Sequence, residues 1–209
     1  MFIAFEGIDG SGKTTQIQLL HRYLQRENID SVVTSEPTDG IIGKLIKKML
    51  REKEFDAMAM QLLFVADRSY HVDHYIKKWD SEGRMILCDR YLFSTLAFGA
   101  ASGIDRDWLL EINRMFPMPD ITVVLDVPPR LAIKRIHSRM SEYIKHAKFV
   151  NAQSSKAKTT MYEKFGFLAK VRLEYLKMSK EFDNYFVVNG TGNEGAISKK
   201  IISIINENI

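Results

Sequence analysis

One cysteine in 209 residues, Cys88, excludes any internal disulfide. Neither cysteines nor histidines occur in pairs at zinc spacing, and the five histidines are scattered, so the common metal modules are excluded. No apolar run approaches the roughly 20 residues that span a bilayer. Met1-Phe2-Ile3-Ala4-Phe5 runs straight into Glu6, without the basic start and long apolar stretch of a signal peptide. A cytoplasmic protein with no membrane attachment is expected. No aromatic-basic RNA-binding pattern is present, so the formal charge of +4 fits a site for several phosphate groups as well as it fits nucleic acid. Cys88 lies in the apolar run Met85-Ile86-Leu87-Cys88 and reads as a small buried thiol.

An apolar fraction of 45% and a charged fraction of 27% belong to a globular chain with a full core. Short apolar runs at Phe2–Phe5, Asp30–Thr34, Arg84–Cys88, Ile121–Val127 and Tyr185–Val188 read as strands. Helical spacing is expected over Lys13–Arg26, Ile41–Arg51, Asp56–Trp79, Leu131–Arg139, Tyr162–Lys180 and Glu194–Asn206. Strands alternating with helices imply an α/β architecture: a five-stranded parallel sheet flanked by helices on both faces, in a single domain over residues 1–209. Ser141–Thr160 breaks the pattern, being rich in Lys, Ser and Ala with weak periodicity. It is a solvated insertion or a mobile basic lid over bound phosphates; the motifs below favour a lid over about 135–160.

Gly7-Ile8-Asp9-Gly10-Ser11-Gly12-Lys13-Thr14 satisfies G-x-x-x-x-G-K-[ST] at every required position, between an expected strand and an expected helix. Its glycines let successive N–H groups turn inward on phosphate oxygens, and the helix that follows adds the positive end of its dipole. Lys13 then reaches the β- and γ-phosphates of ATP, the Thr14 hydroxyl ligates Mg²⁺, and Thr15 adds a donor to the α-phosphate. The architecture is therefore a three-layer P-loop NTPase fold. The absence of an Asn-Lys-x-Asp run argues against a guanine-nucleotide switch.

Further along, the motifs become specific. Phe5-Glu6-Gly7 through Thr15 resembles the start of a thymidylate kinase, as do Glu36-Pro37 and Leu62-Leu63-Phe64-Val65-Ala66-Asp67-Arg68. So do Asp89-Arg90-Tyr91 with Phe93-Ser94-Thr95, Pro119-Asp120-Ile121-Thr122, Leu125-Asp126-Val127-Pro128, and Phe165 through Arg172 and Tyr175. These matches fall in the order of that family of P-loop nucleoside monophosphate kinases and cover nearly the whole chain. The resemblance implies transfer of the γ-phosphoryl of ATP to dTMP, with Mg²⁺, by a homodimer that does not bind nucleic acid, in the pathway to dTTP.

The residues also make chemical sense alone. Phe64 and Arg68 share a helical face, so a ring and a guanidinium stand side by side for a flat base. By resemblance, Phe64 stacks on thymine and Arg68 bonds it. Arg90 clamps the acceptor phosphate, and Asp89 holds Mg²⁺ through water. Phe98 lies under the sugar near the missing 2′-hydroxyl, and Ser94 and Thr95 join the acceptor site. Asp9 faces the acceptor sugar and phosphate from inside the P-loop. Arg135 and Arg139 share a helical face and enter with the lid to neutralise the moving phosphoryl group. Glu36 supports Mg²⁺ or the nucleotide loop.

Three departures stand out. Ser35 occupies a position where the family often has Arg, Leu96 one where many relatives carry a polar residue, and the lid is longer and richer in lysine. Lys145, Lys148, Lys156 and Lys158 are therefore alternative phosphate contacts, and Asn189-Gly190-Thr191-Gly192 is the candidate adenine loop. Two rivals stay open. In a deoxynucleoside kinase, Glu36 would be the general base for a neutral 5′-hydroxyl. In a nucleotide-dependent binding protein, the basic lid would hold nucleic acid in a steeply salt-dependent manner.

Overall fold

The runs Phe2–Glu6, Met85–Asp89 and Ile121–Asp126 are apolar almost throughout and can be buried on both faces only as central strands of a covered sheet, while Ser31–Ser35 and Tyr185–Asn189, partly exposed, form its edges. The computed structural model describes residues 1–52, 56–147 and 157–208, with side chains described at all of these except 139, 140, 142–147 and 157–164. The strands are β1 (Phe2–Glu6), β2 (Ser31–Ser35), β3 (Met85–Asp89), β4 (Ile121–Asp126) and β5 (Tyr185–Asn189). They pair in the order β2-β3-β1-β4-β5, and every pairing is parallel. Between them run α1 (Lys13–Arg26), α2 (Ile41–Glu52), α3 (Ala57–His71), α4 (Lys77–Ser81), α5 (Leu92–Ala101), α6 (Arg106–Asn113), α7 (Pro129–Ala147), α8 (Ala157–Met178) and α9 (Glu194–Asn206). One turn of π-helix, Val72–Ile76, joins α3 to α4.

Alternation along β1 divides the core. Ile3 and Phe5 pack with Leu87, Val123 and Leu125 beneath α1 (Ile17, Leu20, Leu24) and α9 (Ile197, Ile201, Ile204). Phe2, Ala4, Ile86 and Cys88 face the other layer, built from α5, α6, α7 and α8. The burial of Cys88 pushes its thiol well up, with the nearby Glu36 and Glu6 charges adding to the effect, so this cysteine is an inert core residue.

The strand order places the site. β1 lies between β3 and β4, so the chain winds to opposite sides from its end, and the crevice at this switch is where open α/β sheets take ligands. Phe5 pairs with Asp89, and the Arg90 N–H donates to the Phe5 carbonyl at 2.9 Å. The glycine loop after β1 and Asp89-Arg90-Tyr91 after β3 are thereby side by side.

Every expected strand forms, within a residue or so of its expected bounds. Two helices were not expected. α5 is apolar nearly all round and carries no amphipathic stripe, and α6 is only 8 residues long, although Asp105 caps it by accepting from the Trp108 N–H at 2.8 Å. The helix expected to end at Arg139 continues to Ala147, and the one expected from Tyr162 begins at Ala157. The proposed lid is therefore helical at both described ends, and its residues 148–156 lie outside the described residues.

Candidate active site

The phosphate loop curls because its glycines can. Gly7, Gly10 and Gly12 have φ of 128°, 82° and 105°. Gly10 is needed twice over, since a Cβ there would lie 2.4 Å from the Ala132 carbonyl oxygen, where α7 packs on the loop. α1 begins directly at Lys13, so its N-terminal N–H groups face the loop.

Lys13 is buried, with Nζ donating to the Gly7 and Ile8 carbonyls and lying 4.0 Å from the Asp89 carboxylate. Burial first, then the neighbouring Arg90 charge, lowers its pKa to about 8 against the pull of Asp89, Asp9 and Glu6. A bound polyphosphate favours the ammonium, so the sign is fixed. Below pH 8 Lys13 is already charged. Above it, a phosphate chain bound at Lys13 must bring a proton with it, and its affinity falls with rising pH. Calorimetry of ATP binding in buffers of different ionisation enthalpy is expected to show a proton uptake that is small at pH 7 and clearly larger at pH 9. Lys13→Met abolishes that difference; an unchanged difference in the variant would assign the proton to another group.

The Thr14 hydroxyl donates to Asp89 Oδ2 at 2.8 Å, which puts a hydroxyl and a carboxylate together at the mouth of the phosphate loop. This hard oxygen pair suits Mg²⁺, which prefers a few protein oxygens completed by phosphates and water to an all-protein cage. Among the described residues, no group of three or more His, Cys, Asp and Glu forms such a cage.

Arg90 is the hinge of the site. Its φ of 72° lies in the left-handed region, rare for a side chain of this size and costing about 1–2 kcal/mol. The buried Glu6 carboxylate offsets that cost by accepting from the Tyr91 N–H (2.8 Å), the Ser94 N–H (3.1 Å), the Ser94 hydroxyl (2.6 Å) and the Tyr175 hydroxyl (2.9 Å). Burial raises the pKa of Glu6, and these bonds and the Arg90 charge oppose the rise. So held, Arg90 donates through Nη1 to the Gly7 carbonyl (3.1 Å) and Ser94 Oγ (3.1 Å), and through Nη2 to Asp9 (2.6 Å). Its guanidinium also lies 5.1 Å above the Phe98 ring.

Beyond Arg90 opens a cavity of about 260 Å³ lined by Asp9, Glu36, Gln61, Phe64, Arg68, Ser94, Thr95 and Phe98 among others. The residues singled out for the acceptor converge on this one space. Arg68, 1% exposed, is almost saturated: Nε and Nη2 donate to Glu36 Oε2 at 2.9 and 2.8 Å, Nη2 also to Thr95 Oγ1 at 3.1 Å, and Nη1 to the Asn113 side chain. His71 Nδ1 lies 3.0 Å from the other Glu36 oxygen, and its Nε2 lies 2.7 Å from the Thr34 hydroxyl. Asp67 on the same helix accepts from the Thr38 N–H and hydroxyl at 2.7 and 2.6 Å, so α3 grips the loop on both sides of Pro37. Glu36 therefore faces Arg68 and His71, an arrangement that holds the Arg68 guanidinium and does not present a free general base.

Leu96 is packed in the core, away from the cavity, and Ser35 is exposed at the end of β2 in a neighbouring cleft with Thr14 and Asp89. Arg135 reaches the back of the phosphate loop, with Nη1 donating to the Ser11 carbonyl at 3.2 Å and Nη2 to the Gly190 carbonyl at 2.9 Å. That places Asn189-Gly190-Thr191-Gly192 beside the loop. The side chains of Arg139, Lys145 and Lys158 and the whole of Lys148 and Lys156 lie outside the described residues.

Sequence reasoning missed His71, Asn113 and Asp67 as supports and gave Glu6, Tyr91 and Tyr175 no role. His71 lies three residues beyond Arg68, a helical-face spacing that was there to use, whereas Asp67 directly precedes Arg68 and turns to another side of the helix. Asn113 sits on the unexpected α6, 45 positions from its partner, and nothing local marks it.

A thymidylate kinase family model matches residues 5–201. Curated relatives include a probable thymidylate kinase of Pyrococcus horikoshii, 35% identical over 98% of this chain and 95% of its own. A probable thymidylate kinase of Thermococcus kodakarensis is 36% identical over 98% and 97%, and a probable thymidylate kinase 1 of Saccharolobus solfataricus 38% identical over 99% and 97%.

Proposed function

The chain belongs to the thymidylate kinase family, and from that premise we infer its reaction: it is a dTMP kinase that transfers the γ-phosphoryl of ATP to dTMP, giving dTDP and ADP. One observation carries the reading of the site. The Arg90 guanidinium bonds the phosphate loop through Gly7 and Asp9 and also lines the acceptor cavity, so a single cation faces both substrates.

The acceptor is a phosphate monoester with a second pKa of about 6, so at neutral pH its attacking oxygen is already deprotonated. The barrier is to bring two polyanions into line, and cations in a water-poor cleft lower it. Phe64 stacks on the base, Arg68 bonds it, and Phe98 lies under the sugar. Asp9, Ser94 and Thr95 complete the pocket, and Glu36 acts by holding Arg68. Arg90 clamps the acceptor phosphate. Gly7 through Thr15 wrap the ATP phosphates, with Lys13 on the β- and γ-phosphates. Thr14 and Asp89 would hold Mg²⁺, which when bound neutralises phosphate charge. Arg135 and Arg139 bring further positive charge from α7, and the segment over about 135–160 closes as a lid within a single kinase domain.

We place the enzyme in the cytoplasm; no helix of the described residues is long and apolar enough to cross a membrane. A homodimer through α2 and α3 fits the apolar residues these helices expose, among them Ile41, Leu45, Met58 and Leu62. Light scattering checks it against the 24.1 kDa of one chain.

The reaction is tested by ADP release from Mg-ATP against dTMP, dUMP, dAMP, thymidine monophosphate's ribose analogue and thymidine. Rapid turnover of dTMP with weaker dUMP is expected. Turnover of thymidine but not dTMP would overturn the assignment and return Glu36 to the role of base.

A further inference from the structure

We propose that Gln61 reads the N3–H of the acceptor base, a specificity role that rests on dTMP being the acceptor. Gln61, Phe64 and Arg68 stand at i, i+3 and i+7 on α3 and line the same cavity. Gln61 is 4% exposed, and its Oε1 is buried without a hydrogen-bond partner among the described residues. A buried acceptor of this kind is costly to keep and persists where a ligand brings the missing donor. The terminal torsion of a glutamine is soft, so the carbonyl swings to a base without moving the rest of the side chain.

What stands beside it decides which base fits. A guanidinium has five N–H groups. Those on Arg68 go twice to Glu36, once to Thr95 and once to Asn113, which leaves one on Nη1 among the described residues. The cavity thus offers a donor from Arg68 and an acceptor from Gln61. Thymine presents the complementary pair on adjacent atoms, O4 and N3–H. Cytosine presents the reverse, an amino donor beside a bare N3. An amide can turn over to suit either, but a guanidinium cannot become an acceptor. Arg68 therefore fixes which edge is admitted, and Gln61 rewards the N–H that follows it. Thr95 Oγ1 also lines the cavity; it accepts from Arg68 and keeps one lone pair, which makes it the rival acceptor for N3–H.

The test compares dTMP with N3-methyl-dTMP in the wild type, Gln61→Met and Gln61→Glu. Gln61→Met keeps the volume and removes the acceptor; Gln61→Glu keeps an acceptor. In Gln61→Met the KM for dTMP is expected to rise about tenfold, with kcat within about twofold and the KM for ATP unchanged. The penalty for N3-methylation, large in the wild type and in Gln61→Glu, shrinks about tenfold in Gln61→Met. A purely structural role would change both substrates alike and leave that penalty intact. An equal methylation penalty in all three proteins overturns the proposal and hands N3–H to Thr95. A wild type that ignores dTMP but phosphorylates another nucleotide overturns the acceptor assignment instead.

Discussion

Arg90→Ala is expected to lower kcat with dTMP by about 10³-fold, the scale for removing a preorganised donor that faces developing charge. Arg90→Lys should recover only part of the loss, because a point charge cannot reproduce the planar fork that spans Gly7, Ser94 and Asp9. The folded state should survive both changes. Asp9, left without the guanidinium, is about half exposed and stays solvated, while Glu6 keeps its four bonds to Tyr91, Ser94 and Tyr175. Single-turnover kinetics with saturating substrates separate lost chemistry from lost binding. A kcat within threefold of wild type for Arg90→Ala would remove Arg90 from the transferring phosphate.

The second large effect is one of stability. Glu36→Ala leaves the Arg68 charge buried at 1% exposure with Thr95 and Asn113 alone to receive it. Breaking a buried pair on one side costs about 3–5 kcal/mol, which for a chain of this size lowers Tm by about 10 °C. Glu36→Met with Arg68→Met removes both charges, and most of the Tm should return while dTMP binding does not. That split distinguishes a carboxylate that holds Arg68 from one that takes a proton. If Glu36→Ala left Tm unchanged, the pair would not be carrying the loop.

These two residues also show what a sequence discloses and what it withholds. Arg90 was legible because it directly follows a buried strand, at the edge where such sheets bind ligands. Its left-handed backbone was not, since the carboxylate that holds the next N–H belongs to Glu6, far back along the chain and without local signature. Arg68 was legible through its spacing from Phe64. Its saturation by Glu36 and Asn113 was not, because one partner sits in a loop after β2 and the other on a helix whose brevity hid it. The sheet was accessible throughout, because β-branched and apolar runs bounded by turns need no partner to be recognised. α5 was not, because a helix buried on nearly every side carries no stripe.

If phosphoryl transfer runs through Arg90, the phosphate loop and the Phe64–Arg68 cavity are two halves of one site that meet at that residue. The decisive quantity is the affinity of adenosine joined to thymidine through a chain of five phosphates, measured by calorimetry against ATP and dTMP alone. If the halves meet, the joined molecule binds at least about 100-fold more tightly than either nucleotide, and Arg90→Ala removes most of that gain. Binding no tighter than ATP alone would mean that the two pockets do not face one another, and that phosphate cannot pass between them at Arg90.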